Sequence, residues 1–231
     1  MIVDRSFGSK ATSTSDHAGA EGWDPIEGRY GNFTIVADPS APRSASTVGQ
    51  MFYPGGFTGG KAPGLAQVAF PHPGGRQVYI SMWVKLSPNF QGQQSNTNKM
   101  LHMWVNGGNR LFISAEGRDT NRLIPQVRLQ GVPDPRARIT PNVATGAQIV
   151  RGVWQQWELL LTVNTPGQRD GEAQWWLDGR LITDVRDLEI VRVGESPTWD
   201  QFQWSPTWGG GGDTVDQDMF LWFDHVYISG R

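Results

Sequence analysis

Cysteine is absent from this chain of 231 residues. Its absence excludes a disulfide framework, zinc–thiolate sites and a thiol nucleophile. A chain of this length buries roughly 70% of the surface that its unfolded form exposes, so its core needs no covalent or metal cross-link. The lack of cysteine therefore limits the kinds of catalytic or metal site, but it does not show whether the protein works in an oxidising or a reducing compartment.

The chain also lacks an excess of charge and a long apolar run. Its formal net charge is −2, which provides no strong field to attract nucleic acid or an anionic membrane. No segment approaches the roughly 18 consecutive apolar residues of a membrane span, and residues 1–6 lack the apolar run of a signal peptide. We expect an extracellular location, or exposure on a virion or cell surface, without a signal peptide in this chain.

Tyrosine is scarce, with 4 residues, whereas tryptophan (11), glycine (29) and proline (15) are abundant. Many short strands that carry bulky aromatic residues between Gly/Pro turns are typical of β-sandwiches and barrels. The chain has no internal repeat and no linker-like change in composition. We therefore predict one all-β domain over residues 1–231 with very little helix, in which residues 1–50 form a wrapping segment.

Two segments alternate with a period of two residues, which is the pattern of strands with one face in a core. In residues 77–86 the even positions are aliphatic, and the opposite face carries Tyr79 and Trp83. The segment 125–130 alternates in the same way, and its polar face carries Gln126, Arg128 and Gln130.

Four segments occur together in the order VYISMWVKLSPNF, GVWQQWELLLTVNTPG, GEAQWWLDGRLI and FDHVYISG. They resemble the concanavalin A-like lectin/glucanase jelly rolls over residues 50–231. The pairing of a W-x-x-W-E strand with a W-W-L-D-G-R hairpin is similar to polysaccharide lyases of the alginate and glucuronan type, and to laminin G-like domains of bacterial and phage proteins. The resemblance implies an antiparallel jelly-roll β-sandwich. It does not select an activity, because this fold hosts lectins, hydrolases, lyases and structural modules.

The polar and aromatic faces suit a carbohydrate ligand. Glutamine amides match sugar hydroxyls, an arginine matches a uronate carboxylate with two hydrogen bonds, and aromatic rings stack on the C–H faces of sugars. The competing interpretations are an ordinary solvent face for the polar row and burial in the core for the tryptophans. The predicted ligand-binding residues are Tyr79, Trp83, Gln126, Arg128, Gln130 and Trp176.

The resemblance to alginate lyases implies a second set of roles. In that interpretation His102 or a tyrosine such as Tyr79 removes the proton next to the uronate carboxylate, while Arg128 or Gln126 neutralises that carboxylate. The chain departs from the family pattern because it has no Tyr-x-Lys cluster on a strand. Alternation moreover places His102 with Met100 and Trp104 and opposite Lys99, where a structural histidine is the competing interpretation.

Other chemistries are poorly supported. The string E-x-D-x-x-E of jelly-roll glucanases is absent, which argues against retaining hydrolysis by a carboxylate pair. Asp213, Asp216 and Asp218 follow a run of four glycines and could bind calcium, but their spacing matches no EF-hand loop. We expect no cofactor.

Three functions remain, and we rank a non-catalytic, lectin-like carbohydrate-binding module first, as an accessory or decoration part of a virion or cell-surface assembly. The alternative is a polysaccharide lyase that cleaves a polyuronate by β-elimination, and the third is a purely structural decoration protein. The expected partner is a polysaccharide or glycan, with a homo-oligomer or larger assembly compatible with the sequence. The binding hypothesis requires that the odd face of residues 77–86 and the even face of residues 126–130 share one open trough.

Overall fold

The computed structural model describes residues 2–7, 26–27, 32–43, 47–70 and 74–231. Strands account for all the regular secondary structure of these residues, as the composition predicts. No helix in the described ranges has the length and apolarity needed to span a membrane. Much of the predicted wrapping segment 1–50 lies outside the described residues, and its described parts contribute β-strands.

The strands form two antiparallel sheets that pack face to face. They are β1 (Ile2–Arg5), β2 (Ile26–Glu27), β3 (Phe33–Ala37), β4 (Thr47–Tyr53), β5 (Leu65–Ala69), β6 (Gln77–Leu86), β7 (Thr97–Val105), β8 (Gly108–Glu116), β9 (Ile124–Leu129), β10 (Arg138–Ile139), β11 (Gln155–Thr162), β12 (Gly171–Leu177), β13 (Arg180–Leu188), β14 (Trp199–Trp204) and β15 (Met219–Gly230). The first sheet has the order β13-β12-β11-β6-β15-β4-β3, with β1 also paired to β15. The second sheet has the order β10-β9-β8-β7-β14-β5-β2. The predicted antiparallel jelly-roll sandwich is confirmed.

One hydrophobic cluster fills the space between the sheets, and strand alternation explains its membership. In β6 all five even residues are buried and all five odd ones are partly exposed, as the sequence pattern predicts. Several tryptophans belong to this core and are fully buried: Trp157, Trp175, Trp199, Trp204 and Trp208.

Two irregularities in strand pairing matter for the surface of the sandwich. In β7 the register against β8 shifts between Lys99 and Leu101. In β15 the register against β6 shifts between Asp224 and Tyr227, and His225 at this point has a positive φ of 47°. Extra residues of this kind re-aim neighbouring side chains, and they are common beside functional sites.

The sandwich has two outer faces, and the predicted sugar-contact residues are divided between them. Because the aliphatic residues of β6 point into the core, Tyr79 and Trp83 lie on the outer face of the first sheet, which we call the first face. Val127 and Leu129 also point into the core, so Gln126 and Arg128 lie on the outer face of the second sheet, the second face. The expectation of one shared trough is therefore wrong.

Candidate functional site

A row of polar side chains crosses the second face at right angles to its strands. Consecutive members are cross-strand partners, so each lies beside the next across the sheet. From β5 to β10 the row is Gln67, Gln203, His102, Phe112, Arg128 and Arg138. At one end of the row Gln203 Nε2 donates to Gln67 Oε1 at 3.2 Å.

The bulge in β7 adds a lysine to this row. Lys99 is the cross-strand partner of Ser114, and His102 is the partner of Phe112. Four residues of β7, from Lys99 to His102, thus match three of β8, and the extra residue, Met100, is buried. Strict alternation placed Lys99 opposite His102; that expectation is wrong, because the bulge turns both side chains to the second face.

The ring of Phe112 lies beneath the charged side chains of the row and forms the floor of the site. Phe112 is only 5% exposed, because neighbouring side chains cover its ring. The Lys99 ammonium lies 4.9 Å from the ring centroid and the Arg128 guanidinium 6.0 Å from it, both within cation–π range. The His102 ring is also close, with 5.8 Å between the two ring centroids.

Lys99 has an unusual electrostatic environment for a lysine. Among the residues that the structure describes, no carboxylate lies within ion-pair distance of its ammonium. Burial, and secondly the charge of Arg128, lower the pKa of Lys99. Both causes favour the neutral amine, the form that accepts a proton.

His102 is held as a neutral imidazole. Its Nε2 lies 3.2 Å from the carbonyl oxygen of Ser205, which can only accept, so Nε2 carries the proton. Its Nδ1 then accepts from Asn109 Nδ2 at 2.7 Å. Burial, with a smaller contribution from Lys99, lowers the pKa of His102 to about 4. Because both nitrogens are occupied, His102 has no free lone pair with which to act as a base.

The polar residues predicted on β9 differ in their surroundings: Gln126 is buried, and Arg128 lies beside a carboxylate. Gln126 is 5% exposed, and its Oε1 has no hydrogen-bond partner within the described part of the chain. Arg128 lies 3.8 Å from Glu116, a buried carboxylate that also accepts a hydrogen bond from Ser114 Oγ at 2.8 Å. Gln130 follows the end of β9 and is exposed.

The first face holds the aromatic residues that the sequence singled out. Tyr79 and Trp83 line an open depression of about 460 Å³. Trp176 also faces outwards, on β12, but it is not among the residues that line the depression. Burial, reinforced by a hydrogen bond to Glu158, raises the pKa of Tyr79 to about 12. The four residues of the lyase interpretation therefore do not converge, because Tyr79 lies across the sandwich from His102, Gln126 and Arg128.

Two of the three loop aspartates contact backbone amides. Asp218 Oδ1 accepts from Gly55 N at 2.9 Å, and Asp213 Oδ2 is 3.4 Å from Gln94 N. Within the described ranges, no group of three or more His, Asp or Glu side chains is placed to hold a metal ion.

Sequence reasoning missed Lys99 and Phe112. A lysine three residues before a histidine was the visible signal, but only the bulge brings the two onto one face. Phe112 gave no signal, because an apolar residue in a strand is expected in the core.

Solved structures with a similar fold include alginate and glucuronan lyases. A mutant of the alginate lyase Aly36B in complex with alginate tetrasaccharide has a TM-score of 0.74 at 13% identity, covering 100% of this chain and 97% of that one. The endo-β-1,4-glucuronan lyase of the fungus Trichoderma reesei has a TM-score of 0.64 at 16% identity over 92% of each chain. The PL-14 alginate lyase of Aplysia kurodai has a TM-score of 0.60 at 12% identity, over 99% and 98%.

These similarities show the fold alone: an antiparallel jelly-roll β-sandwich of the type found in alginate and glucuronan lyases. No protein-family model matches the chain, and no curated protein is significantly similar to it.

Proposed function

We propose that the protein is a polysaccharide lyase that cleaves a polyuronate by β-elimination on the second face. The observation that carries the proposal is Lys99, a lysine with a lowered pKa and without a described carboxylate partner, beside Arg128 on the Phe112 floor. The shared fold with alginate and glucuronan lyases favours this function over non-catalytic binding. A polymeric substrate also fits the expected exposed location.

Arg128 would bind the uronate carboxylate and stabilise the negative charge that develops on it. The hydrogen on the adjacent C5 carbon becomes acidic under this influence, and the neutral Lys99 amine removes it as a proton. The electron pair of the C5–H bond forms the C4=C5 double bond while the C4–O4 bond breaks. The Lys99 ammonium then returns its proton to the leaving O4 oxygen, which restores the amine.

Two neighbours support these roles without taking part in proton transfer. Gln126 Oε1 is buried and has no hydrogen-bond partner among the described residues, so a rotation of this side chain towards the second face would satisfy it with a sugar hydroxyl. His102 is neutral and fixed by Ser205 and Asn109, so it packs against Phe112 without adding a third positive charge beside Lys99.

The test is the unsaturated product. Alginate, polymannuronate, polyguluronate and glucuronan are incubated with the protein, and ultraviolet absorbance reports the double bond conjugated to the carboxylate. Lys99→Met and Arg128→Ala should each abolish the absorbance, whereas Trp83→Ala on the first face should retain it. Absence of product on every polyuronate, or product formation unaffected by Lys99→Met, would refute the proposal.

A non-catalytic, lectin-like module is the second candidate function, because none of the tyrosines that the structure describes lies on the second face. Of the described tyrosines, Tyr53 is buried in the core and Tyr79 and Tyr227 face outwards from the first sheet. A face that has Arg128 and Gln126 but lacks a tyrosine hydroxyl to protonate the leaving oxygen would bind a uronate chain without cleaving it. Affinity for alginate that depends on Arg128, with no product, would select this function over the lyase.

A further inference from the structure

We propose that the first face holds a second, separate carbohydrate site that takes a neutral pyranose unit. Its centre is the depression of about 460 Å³ over β6, β11 and β15, a size within the roughly 300–1,000 Å³ range of small-ligand sites. It lies across the sandwich from Lys99 and Arg128, so it has no part in the proposed elimination and stands independently of it.

The floor of the depression combines three aromatic side chains with small polar ones. Tyr79, Trp83 and Tyr227 are all half-buried, with 6.3 Å and 62° between the rings of the two tyrosines. Aromatic rings that are half-buried in this way keep part of their surface open to solvent, where the C–H face of a pyranose can stack against it.

Hydrogen-bonding groups stand beside these rings in fixed orientations. Gln156 Nε2 donates to Ser81 Oγ at 3.1 Å, which leaves the amide oxygen of Gln156 as an acceptor. Tyr79 donates to Glu158 Oε1 at 2.5 Å and is also hydrogen-bonded to Ser81, whereas the guanidinium of Arg43, which also lines the depression, is a donor. Such a mixture of donors and acceptors matches sugar hydroxyls, which need both.

The walls are built by local features that the sandwich itself does not require. The bulge of β15 turns His225 outwards at positive φ, and its Nε2 lies 2.9 Å from Asp4 of β1. On the other side, Arg43 lines the depression and its backbone N–H donates to the buried Asp224 at 2.9 Å. A non-glycine residue at positive φ inside a central strand costs energy that a plain sheet would avoid.

The segment that carries Arg43 is itself pinned to the first sheet. Asp38 forms an ion pair with Lys85 at 2.5 Å, and Ser40 accepts a hydrogen bond from Trp154 Nε1 at 3.2 Å. Because the wall is fixed without a ligand, binding costs little ordering of the protein.

Charge distinguishes the ligand of this site from that of the second face. Of the residues that line the depression, Asp4 supplies one carboxylate and Arg43 one guanidinium. Their charges balance, so the depression gives no net attraction for a uronate, in contrast to the second face with Arg128 and Lys99. The geometry therefore points to a neutral hexose chain.

The experiment measures binding of cellohexaose, laminarihexaose and mannohexaose by isothermal titration calorimetry and tryptophan fluorescence, with a mannuronate hexamer as the acidic probe. At least one neutral hexamer should bind, and Trp83→Ala and Gln156→Ala should each weaken it roughly tenfold, which is about 1.4 kcal/mol. Arg128→Ala is the matched control and should leave this binding unchanged. Thermal unfolding checks that each variant folds, and Gln156→Ala removes least packing.

Three results would overturn the inference. In the first, no neutral hexamer binds with a Kd below about 10 mM. In the second, binding of the neutral hexamer is weakened by Arg128→Ala and not by Trp83→Ala; in the third, only the mannuronate hexamer binds in a way that depends on Trp83. None of them bears on the lyase, whose readout is the unsaturated product, so the two proposals fail separately.

Discussion

The Lys99 ammonium and the Arg128 guanidinium share one aromatic ring, at 4.9 Å and 6.0 Å from the centroid of Phe112. Two cations at such positions disfavour each other's charge, and arginine keeps its proton under all ordinary conditions. Lys99 is therefore the one of the two that gives up its proton more readily, and burial and the charge of Arg128 both lower its pKa. This relationship makes a surface lysine a candidate base.

The first prediction concerns the pH dependence of cleavage. The rate should rise with pH as Lys99 loses its proton and should reach its plateau below the ordinary lysine value of 10.5. Lys99→Arg keeps the positive charge but cannot supply a neutral amine, so it should retain substrate binding and lose kcat. Initial rates on a soluble polyuronate across pH measure both effects. An unchanged profile in Lys99→Arg would contradict the assignment.

The second prediction isolates the effect of Arg128 on the lysine. Removing the guanidinium in Arg128→Gln should raise the pKa of Lys99 towards its ordinary value, because one of the two causes of the lowered pKa disappears. Reductive methylation with labelled formaldehyde, followed by an NMR titration, reports each lysine separately. The methyl signals of Lys61 and Lys85 serve as internal references.

The third prediction concerns the salt dependence of polyuronate binding. Arg128→Gln should weaken alginate binding at least roughly tenfold at low salt, and Arg128→Lys should restore it only in part, because an ammonium lacks the two-pronged geometry. Added salt should narrow the difference by screening. Arg186→Gln is the matched control, since Arg186 pairs with Asp184 on β13 of the other sheet. Equal losses in both variants would point to general electrostatics.

The fourth prediction concerns acid stability. The pKa of His102 is about 4 in the folded protein against an ordinary value of 6.5, so the unfolded chain binds a proton in this range and the folded one does not. Stability is thus complete above pH 6.5 and declines as the pH falls towards 4. At about 1.36 kcal/mol for each unit, the loss is roughly 3 kcal/mol.

Denaturant unfolding at a series of pH values measures this slope. His102→Asn should flatten the curve between pH 6.5 and 4, whatever its effect on the absolute stability. A slope equal to that of the parent protein would contradict the buried, neutral imidazole.

Alternation predicted the fold well because it records which side chains enter a core. It identified the inward residues of β6 and β9, and it left Tyr79, Trp83, Gln126 and Arg128 outside. It could not tell that these residues occupy opposite sides of the molecule, because each of the two sheets has its own exterior. Which sheet a strand joins depends on long-range pairing that no local pattern encodes.

The candidate base was hidden for a different physical reason. A bulge inserts one residue into the period of two, so every assignment on one side of it is reversed. Met100 is the inserted residue in β7, and only the pairing of Lys99 with Ser114 and of His102 with Phe112 reveals it. No turn residue marks the position in the sequence.

The last prediction tests a single buried amide that joins two segments of the sandwich. Asn164 is fully buried. The two hydrogens of its Nδ2 are shared among Thr165 O, Gln168 O and Val191 O, and its Oδ1 accepts from Ile190 N and Val191 N. Asn164→Ala leaves these backbone groups buried without partners, which should cost on the order of 3 kcal/mol. Asn89→Ala removes one bond, to Asp218 O, and should cost less than about 1 kcal/mol. Similar losses in the two variants would mean that water replaces Asn164.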